Sequence, residues 1–426
     1  MNIPRQDLLK RFLRYVKIDT QSSEESQTYP STEKQLELSR LLISELKEMG
    51  ITDVQLTPHG YVFATLPSNL PENHPVQVPP IGLIAHVDTS PDVSGANVNP
   101  MVHQNYDGKK IVLPGDPSQV IDPEANPALK NCIGHDIITS DGTTLLGADN
   151  KAGVAEIMTA IDYLIQHPEI PHGEIKIAFT VDEEIGKGTL HFDVKEFGAR
   201  YAYTIDGETA GEIEDETFCA DTVDLTVHGI NVHPGFAKNK MVNALKIAAD
   251  FLAALPRETL SPETTEGREG YIHPNTINGN VEKVEIRMLI RDFTVDGLKE
   301  KEKLLESIRE KVLQSWPRGK IDFKVTESYR NMRYILDQYP FVVEYAMEAV
   351  RRSGLEPRKS LIRGGTDGAR LSYMGLPTPN IFTGGHNFHS KREWASLQDM
   401  EKAVETIINL VQIWAERGEG TKEASS

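Results

Sequence analysis

The chain has 426 residues, and its 45 Lys and Arg against 63 Asp and Glu leave a formal net charge of −18. Hydrophobic residues make up 39% and charged residues 25%, which is the balance of a globular protein and not of a disordered or membrane-spanning one. This length predicts two or three domains, and the negative charge argues against nucleic acid or an anionic membrane as the main partner.

The two cysteines, Cys132 and Cys219, lie far apart and form neither a disulfide framework nor a zinc-finger pattern. The N-terminal segment also lacks the apolar core of a signal peptide. We therefore expect a cytoplasmic protein, and we expect its final residues, GEGTKEASS, to fray.

Two helices are predicted near the N-terminus. Leu9, Phe12, Leu13 and Val16 recur at helical spacing, which predicts a first helix with one buried face. Thr32 and Gln35 match a capping box, which predicts the start of a second helix.

Short apolar runs and an amphipathic helix alternate in the next part of the chain. Segments 81–87 (IGLIAHV) and 175–181 (IKIAFTV) have the composition of buried strands, and a helix carrying Val154, Met158 and Ile161 lies between them. A further run at 201–205 (YAYTI) continues the pattern. The sequence therefore predicts an α/β fold with a mostly parallel sheet covered by helices.

The pattern changes between residues 217 and 326, which predicts a smaller α+β module inserted into the α/β domain. In that module the expected strands lie at 223–227, 284–289 and 321–325, the expected helices lie at 244–255 and 295–313, and a long acid-rich loop follows the first helix. The predicted domains are residues 1–216, the inserted 217–326, and 327–426, which completes the first domain.

Candidate catalytic groups stand at the ends of the predicted strands, where ligands of open α/β sheets bind. The sequence contains no GxxxxGK[ST], GxGxxG, HExxH or GxSxG motif. Instead, the first strong strand ends in His86 and Asp88, whose side chains point the same way. His86 could bind a metal while Asp88 orients it, but a solvated strand end would give the same tripeptide.

Acidic residues follow in two further loops. Asp149, in the Gly-flanked LLGADNKAG, could bridge two cations or simply cap a helix. Asp182, Glu183 and Glu184 repel one another, so they need either a solvated turn or a positive counter-charge such as a divalent metal. If a metal is present, one of the two glutamates could bind it while the other takes a proton from water.

Asp206 ends the strand YAYTI, and His389 lies in the loop GGHNFHSKRE. Either residue alone would be uninformative. Together with the residues above, they match the nitrogen and oxygen ligands that zinc or a similar divalent ion prefers.

Seven motifs occur in order along nearly the whole chain: HVDTSP, LLGADNKAG, TVDEEIGKG, YTIDGE, HPGFAKNKMVNA, RGGTDG and HNFHSKRE. In these motifs the sequence closely resembles the peptidase T family. These tripeptide aminopeptidases are co-catalytic dizinc metallopeptidases related to succinyl-diaminopimelate desuccinylase and carboxypeptidase G. The resemblance implies a zinc-peptidase-like catalytic domain and gives the inserted module the role of a lid and dimerisation domain, and hence a homodimer.

The resemblance also implies two divalent metal ions, expected to be Zn²⁺, and a role for each candidate residue. Asp149 would bridge the two ions, His86 and Asp206 would complete one site, and Glu184 and His389 would complete the other. Glu183 would be the general base, with Asp88 behind His86. His233 of NVHPGF would approach the scissile carbonyl, although the residues alone favour a turn histidine beside Pro234.

The expected function is therefore a metal-dependent aminopeptidase that releases the N-terminal residue from short peptides with a free N-terminus, in particular tripeptides. A deacylase or carboxypeptidase of the same dizinc superfamily is the nearest alternative, because the metal ligands are shared. A non-catalytic metal-binding protein is a more distant alternative, for which Glu183 would not be needed.

Overall fold

The computed structural model describes residues 1–420 as helices, strands and connecting loops. The helices are α1 (Arg5–Tyr15), α2 (Gln35–Glu48), α3 (Pro127–Lys130), α4 (Ala148–Gln166), α5 (Val194–Phe197), α6 (Ala244–Ala253), α7 (Val295–Ser315), α8 (Arg333–Leu336), α9 (Pro340–Arg352), α10 (Asp367–Tyr373) and α11 (Leu397–Arg417). The strands are β1 (Val54–Leu56), β2 (Val62–Leu66), β3 (Ile81–His86), β4 (Met101–His103), β5 (Ile111–Val112), β6 (Val120–Ile121), β7 (Ile137–Thr139), β8 (Ile175–Thr180), β9 (Tyr201–Gly207), β10 (Glu212–Thr217), β11 (Cys219–His228), β12 (Tyr271–Gly279), β13 (Lys283–Asp292), β14 (Lys320–Tyr329), β15 (Arg358–Ile362), β16 (Asn380–Phe382), β17 (Gly385–His386) and β18 (Trp394–Ser396). Within the described residues, no helix is both long and apolar enough to cross a membrane.

The chain forms two compact units. Unit 1 consists of Met1–Asp215, Met332–Leu361 and the residues from Thr366 onward, and unit 2 consists of Glu216–Asn331 with Ile362–Gly365. Unit 2 therefore interrupts the sequence of unit 1.

Unit 1 contains a sheet with the strand order β1-β2-β8-β3-β9-β16-β10-β15. Strands β8, β3, β9 and β16 are parallel neighbours, whereas β2 runs antiparallel to β8 and β10 runs antiparallel to β16. Every residue of β3 is buried, as expected for a strand covered on both faces. Helix α4 packs against β3 and β9, and α11 packs against α4 and α9. The α/β class is thus confirmed, with the parallel strands confined to the centre of the sheet.

Both predicted N-terminal helices are confirmed, as α1 and α2, but one detail of each prediction was wrong. Phe12 and Val16 are buried, as predicted, whereas Leu9 and Leu13 stay partly exposed. Leu8 and Tyr15 complete the buried face of α1 instead. Helix α2 begins at Gln35 without a side-chain cap. The Gln35 side-chain amide donates instead to Asp182 Oδ1 at 2.7 Å. A tertiary contact has therefore replaced the predicted capping box.

Unit 2 contains a four-stranded antiparallel sheet, ordered β12-β13-β11-β14, with helices α6 and α7 packed on it. Buried side chains alternate with more exposed ones along its strands. Val223, Leu225 and Val227 are buried on β11, and Ile286 and Met288 are buried on β13. Strand β12 was not predicted and lies in the segment expected to be an acid-rich loop. Most residues of β12 are exposed, so the strand carries no apolar alternation to detect.

The fraying expected from residue 418 onward is wrong for Glu419. Its carboxylate accepts hydrogen bonds from Arg200 at 2.7 Å and from the Tyr201 hydroxyl at 2.6 Å. Residues 421–426, which the same prediction covered, lie outside the described residues.

Candidate active site

The candidate active site lies at the carboxyl ends of the central parallel strands of unit 1. Strand β3 ends at His86, β8 ends just before the Asp182 turn, and β9 carries Asp206 near its end. Side chains that follow neighbouring parallel strands share one edge of the sheet. The structure brings five predicted ligands together there: His86, Asp149, Glu184, Asp206 and His389.

Asp149 stands between two sets of side chains. Its Oδ1 atom lies 2.9 Å from His86 Nε2, which is also 3.5 Å from Asp206 Oδ1. Its Oδ2 atom lies 3.3 Å from His389 Nε2, which is also 2.7 Å from Glu184 Oε2. One carboxylate thus directs one oxygen to each histidine, the arrangement that a ligand bridging two ions requires.

Local backbone features place Asp149 in this position. Asp149 and Asn150 have non-helical dihedral angles, so the regular part of α4 begins after them. Gly153 lets α4 pass close to β9, because a Cβ atom at this position would lie 1.9 Å from the carbonyl oxygen of Ile205. The start of α4 therefore lies beside the end of β9, and Asp149 lies beside Asp206.

Glu393 fixes the loop before α4 through hydrogen bonds. This residue was not predicted as a functional residue from the sequence. Its buried carboxylate accepts hydrogen bonds from the backbone N–H groups of Leu146, Gly147 and Asp149, at 2.8, 2.7 and 2.9 Å. Burial raises the pKa of Glu393 to about 7. Its only sequence signal is its place at the end of the HNFHSKRE motif, four residues after His389.

Asp88 links His86 to the acidic turn. His86 Nδ1 lies 3.0 Å from the backbone carbonyl oxygen of Asp88 and 3.4 Å from its carboxylate Oδ1. The two carboxylate oxygens also accept the backbone N–H groups of Glu183 and Glu184, at 3.0 and 3.2 Å. A neutral imidazole that donates from Nδ1 carries its lone pair on Nε2, so Nε2, which faces Asp149 and Asp206, would be the ligand atom for a metal.

Asp182 fixes the same turn from the other side and was also missed as a functional position. It adopts a positive φ of 60° and is buried. Its carboxylate accepts hydrogen bonds from the backbone and hydroxyl of Ser31 and from the Gln35 amide. Asp182 therefore orients the two glutamates that follow it.

The pKa values show how crowded the carboxylates are. Burial and the charge of Asp149 raise the pKa of Glu184 to about 8, and burial raises the pKa of Glu183 well above its ordinary value. Hydrogen bonds to Asp149 and Glu184 raise the pKa of His389 to about 11. Burial opposes ionisation of Asp149, but hydrogen bonds from His389 and His86 hold its pKa below the ordinary value. Interactions with the neighbouring carboxylates also raise the pKa of His86, so without a metal the two histidines offset the negative charge. A divalent ion would supply that positive charge in their place.

The residues present fit a pair of divalent ions. The buried Oε1 atom of Glu184 has no hydrogen-bond partner among the described residues. The four nitrogen–oxygen distances around Asp149 run from 2.7 to 3.5 Å. Bonds of 2.0–2.1 Å to a tetrahedral zinc would place neighbouring ligand atoms about 3.3 Å apart. Imidazole nitrogens and carboxylate oxygens are also the ligand types that zinc accepts.

A cavity of about 610 Å³ opens beside these residues, within the size range of small-molecule sites. Its walls include Asp149, Glu208, His386, Phe388, His389 and Trp394. None of the described residues that line the cavity is a lysine or an arginine.

His233 belongs to unit 2, where it is exposed and precedes the short turn Pro234–Phe236. Its Nδ1 atom accepts a hydrogen bond from the Gly235 N–H at 3.2 Å. A neutral ring held in this way carries its proton on Nε2, which is then a donor. Its role near a scissile carbonyl stays a prediction.

Residues 216–319 match the family model described as a peptidase dimerisation domain, M20_dimer. Over 413 residues the chain is 50% identical to peptidase T of Listeria innocua serovar 6a, covering 97% of this chain and 100% of that relative.

Solved structures with the same fold include aminopeptidase PepT from Bacillus cereus, with a TM-score of 0.74 and 24% identity over 97% of this chain and 99% of that one. A tripeptidase from Staphylococcus aureus has a TM-score of 0.76 and 23% identity over 97% and 100% of the two chains. A dinuclear metal-binding peptidase of the M20 family from Bacillus subtilis has a TM-score of 0.64 and 14% identity over 97% and 98%.

The fold, the buried ligand set and these similarities define a metal-dependent peptidase. The 50% identity to a peptidase T over 97% of this chain identifies the family within that class. The chain belongs to the peptidase T family, as its motifs predicted.

Proposed function

We propose that this chain is a two-metal aminopeptidase that removes the N-terminal residue from tripeptides. The observation that carries the proposal is the position of Asp149, which faces His86 with one oxygen and His389 with the other. The acidic turn of Glu183 and Glu184, held by Asp88, lies beside this pair.

In this proposal Asp149 would be shared by two divalent ions, which we take to be Zn²⁺. His86 and Asp206 would hold one ion, and Glu184 and His389 would hold the other. When bound, the two ions would acidify a water molecule and polarise the peptide carbonyl. Three ligand carboxylates and two neutral imidazoles would leave the pair of dications with a small net positive charge.

Glu183 is the proposed general base. It takes a proton from the attacking water and later delivers it to the leaving amine, so the peptide bond gains one water overall. Burial raises the pKa of Glu183, because a desolvated carboxylate holds a proton more readily than an exposed one. His233 is the proposed donor to the oxyanion, through its Nε2 proton.

The charge of the cavity favours a substrate with a free α-amino group. Glu208, which is not among the proposed metal ligands, lines the cavity, and the described lining contains no lysine or arginine to bind a carboxylate next to the scissile bond. A carboxypeptidase or a deacylase of N-acyl amino acids would need such a cation. The words "aminopeptidase" and "tripeptidase" in the names of the two similar structures also support the proposal.

We further propose a homodimer in the cytoplasm. The match of residues 216–319 to a peptidase dimerisation domain supports the dimer, which makes unit 2 the proposed lid and dimerisation domain.

The deciding experiment is a substrate panel with purified, zinc-loaded protein. Unblocked tripeptides should be cleaved between the first and second residues, while matched N-acetylated tripeptides, dipeptides and N-acyl amino acids should be poor substrates. Preferential cleavage of an N-acyl amino acid would favour a deacylase, release of the C-terminal residue would favour a carboxypeptidase, and no hydrolysis would contradict an enzyme altogether.

A further inference from the structure

Unit 1 contains a second cluster of metal-ligating side chains, separate from the Asp149 centre: Cys132, His135 and Asp399. Each offers one ligand atom, and the three atoms lie within 4.8 Å of one another. Cys132 Sγ is 3.6 Å from Asp399 Oδ2, and His135 Nδ1 is 3.8 Å from Asp399 Oδ1. We propose that these three side chains bind a further divalent ion, Zn²⁺.

A tight turn brings the thiol and the imidazole together. The His135 N–H donates to the Cys132 carbonyl at 2.9 Å, which closes the turn around Ile133 and Gly134. Gly134 has a φ of 88°, a conformation that a residue with a Cβ atom rarely adopts. Its N–H donates to the Tyr106 carbonyl at 2.8 Å, which anchors the turn. The glycine thus lets the Cys-x-x-His segment fold back on itself.

Asp399 is positioned by the start of α11, but its carboxylate does not cap that helix. The Ser396 hydroxyl is the cap and accepts the Asp399 N–H at 3.2 Å. A capping box would need the Asp399 carboxylate on the Ser396 N–H, and that N–H donates to the Gly384 carbonyl instead. The carboxylate faces Cys132 and His135, and it also has a hydrogen bond with the Ser396 side chain that a bound metal would compete with.

Backbone hydrogen bonds tie the two halves of the cluster together. The Leu397 N–H donates to the Asp136 carbonyl at 3.0 Å, and the Asp136 N–H donates to Gln398 Oε1 at 2.8 Å. The segment after His135 is thus joined to the first turn of α11. A site whose ligands are held on one frame loses little conformational entropy on binding a metal.

The ligand types and distances suit zinc. Bonds of about 2.3 Å to sulfur and 2.0–2.1 Å to oxygen place these atoms about 3.5 Å apart in a tetrahedral site. The observed separation of 3.6 Å between Cys132 Sγ and Asp399 Oδ2 needs almost no movement. A thiolate and a carboxylate balance the charge of one dication, and the thiol releases its proton on binding.

The surroundings supply no other positive charge of fixed position and leave room for a fourth ligand. Within residues 1–420, Asp399 forms no ion pair with a lysine or an arginine. Cys132 is buried, whereas 28% of the His135 side chain is exposed, so water can complete the coordination. His135 Nδ1 now lies 2.9 Å from the Ser396 hydroxyl, a hydrogen bond that metal binding would replace.

An ion at this site would connect two walls of the cavity described above. One wall of the cavity contains residues 126–128, which overlap α3, and Cys132 follows that helix. The other wall contains Trp394, the first residue of β18, and Asp399 lies in α11, which follows β18 directly. The bound ion would thus raise the thermal stability of unit 1. The alternative is a metal-free cluster in which the thiol, the hydroxyl and the imidazole only hydrogen-bond.

Cobalt substitution distinguishes these possibilities because only one of the proposed centres contains sulfur. The Asp149 centre offers nitrogen and oxygen ligands alone, so Co²⁺ bound there gives no thiolate-to-cobalt charge-transfer band. We expect wild-type protein loaded with Co²⁺ to show that band and, after dialysis, to retain one more metal per chain than Cys132→Ser. Cys219→Ser is the matched control and should keep the band, because Cys219 is the other cysteine and is buried in unit 2.

Absence of the band in wild-type protein, together with equal metal content in wild type and Cys132→Ser, would overturn the proposal. If Cys132→Ser fails to fold, Asp399→Asn tests the same site with the thiol in place, and it should also lose one metal. Asp149→Ala separates this proposal from the proposed function. It should lose the metals of the catalytic centre but keep the thiolate–cobalt band.

Discussion

Unit 2 and the Asp149 centre of unit 1 differ in which side chains compensate their buried negative charge. In unit 2, three buried or nearly buried carboxylates each form an ion pair with an arginine or a lysine. The pairs are Glu216 with Arg268 at 2.6 Å, Asp221 with Arg330 at 2.7 Å, and Asp292 with Lys301 at 2.5 Å. In unit 1, within the described residues, Asp149 and Glu184 form ion pairs with histidines alone.

This difference is what we expect if the Asp149 centre binds cations. A buried charge costs several kcal/mol unless a partner compensates for it. Unit 2 carries that partner in its own sequence as arginine and lysine, whereas the centre of unit 1 has several carboxylates and only imidazoles, which are ligands when neutral. The same physical rule therefore explains ion pairs in one unit and indicates bound cations in the other.

The largest effect is expected for Asp149→Ala, which removes the carboxylate shared by both histidines. Activity should fall below detection, and both metals of this centre should be lost on dialysis. The matched control is Asp221→Ala in unit 2, which breaks a buried ion pair and should cost about 3–5 kcal/mol of stability without changing metal content. Retention of both metals by Asp149→Ala would contradict the bridging role.

Glu183→Gln should leave the metals in place and remove the proton acceptor. We expect kcat to fall by about 10²–10⁴-fold, because an amide keeps the shape of the side chain but cannot accept the proton. Metal content and the melting temperature should match the wild type. A variant with nearly normal kcat would show that another group is the base.

The sequence predicted the parts of this centre that follow from strand order. His86, Glu184 and Asp206 stand at the ends of strands, so their convergence follows from the parallel sheet. The role of Asp149 between two histidines required the resemblance, because loop spacing alone does not distinguish a bridge from a helix cap.

Residues that act by accepting hydrogen bonds from the backbone could not be predicted from the sequence. Glu393 and Asp182 accept N–H groups from loops, and no spacing rule marks such acceptors. The spacing of Thr32 and Gln35 predicts a capping box, but Gln35 binds Asp182, which is distant in sequence and cannot be identified as its partner from a local pattern. Strand β12 was missed because its exposed residues carry no periodicity.

His233→Ala tests whether unit 2 contributes to the reaction. If its Nε2 proton stabilises the oxyanion, kcat should fall by about 10²–10³-fold with no loss of metal. Mixing this variant with Glu183→Gln then asks whether His233 serves its own chain or a partner. Activity regained on subunit exchange would indicate shared sites. Full activity of His233→Ala alone would remove the residue from the mechanism.

Glu393→Gln should have a smaller effect, because Glu393 touches the loop of Asp149 and not the substrate. Its loss of charge weakens three hydrogen bonds from backbone N–H groups, and we expect metal affinity to fall by about 10–100-fold. Measured KM should change little once metal is in excess. A large fall in kcat at saturating metal would mean that Glu393 has a more direct role.

The smallest effect concerns Glu156, a carboxylate of unit 1 that has neither an ion pair nor a metal site. It lies buried in α4, and both of its carboxylate oxygens lack a hydrogen-bond partner among the described residues. Burial raises its pKa well above the ordinary value, so the folded state binds a proton that the unfolded state releases at neutral pH. Stability from this group is therefore complete below the unfolded pKa of about 4.3 and is lost as the pH rises toward the folded pKa.

Glu156→Met removes that titration while keeping a side chain of similar length. Relative to the wild type, the variant should gain about 1–3 kcal/mol in free energy of unfolding at pH 8 and less at pH 5, as measured by urea denaturation. Glu344→Met, at an exposed position of α9, is the control and should show no such pH-dependent gain. An equal effect of Glu156→Met at both pH values would mean that the carboxylate is already compensated in the folded protein. The contrast between the paired carboxylates of unit 2 and the carboxylates of unit 1 that lack a lysine or arginine partner would then not extend beyond the Asp149 centre.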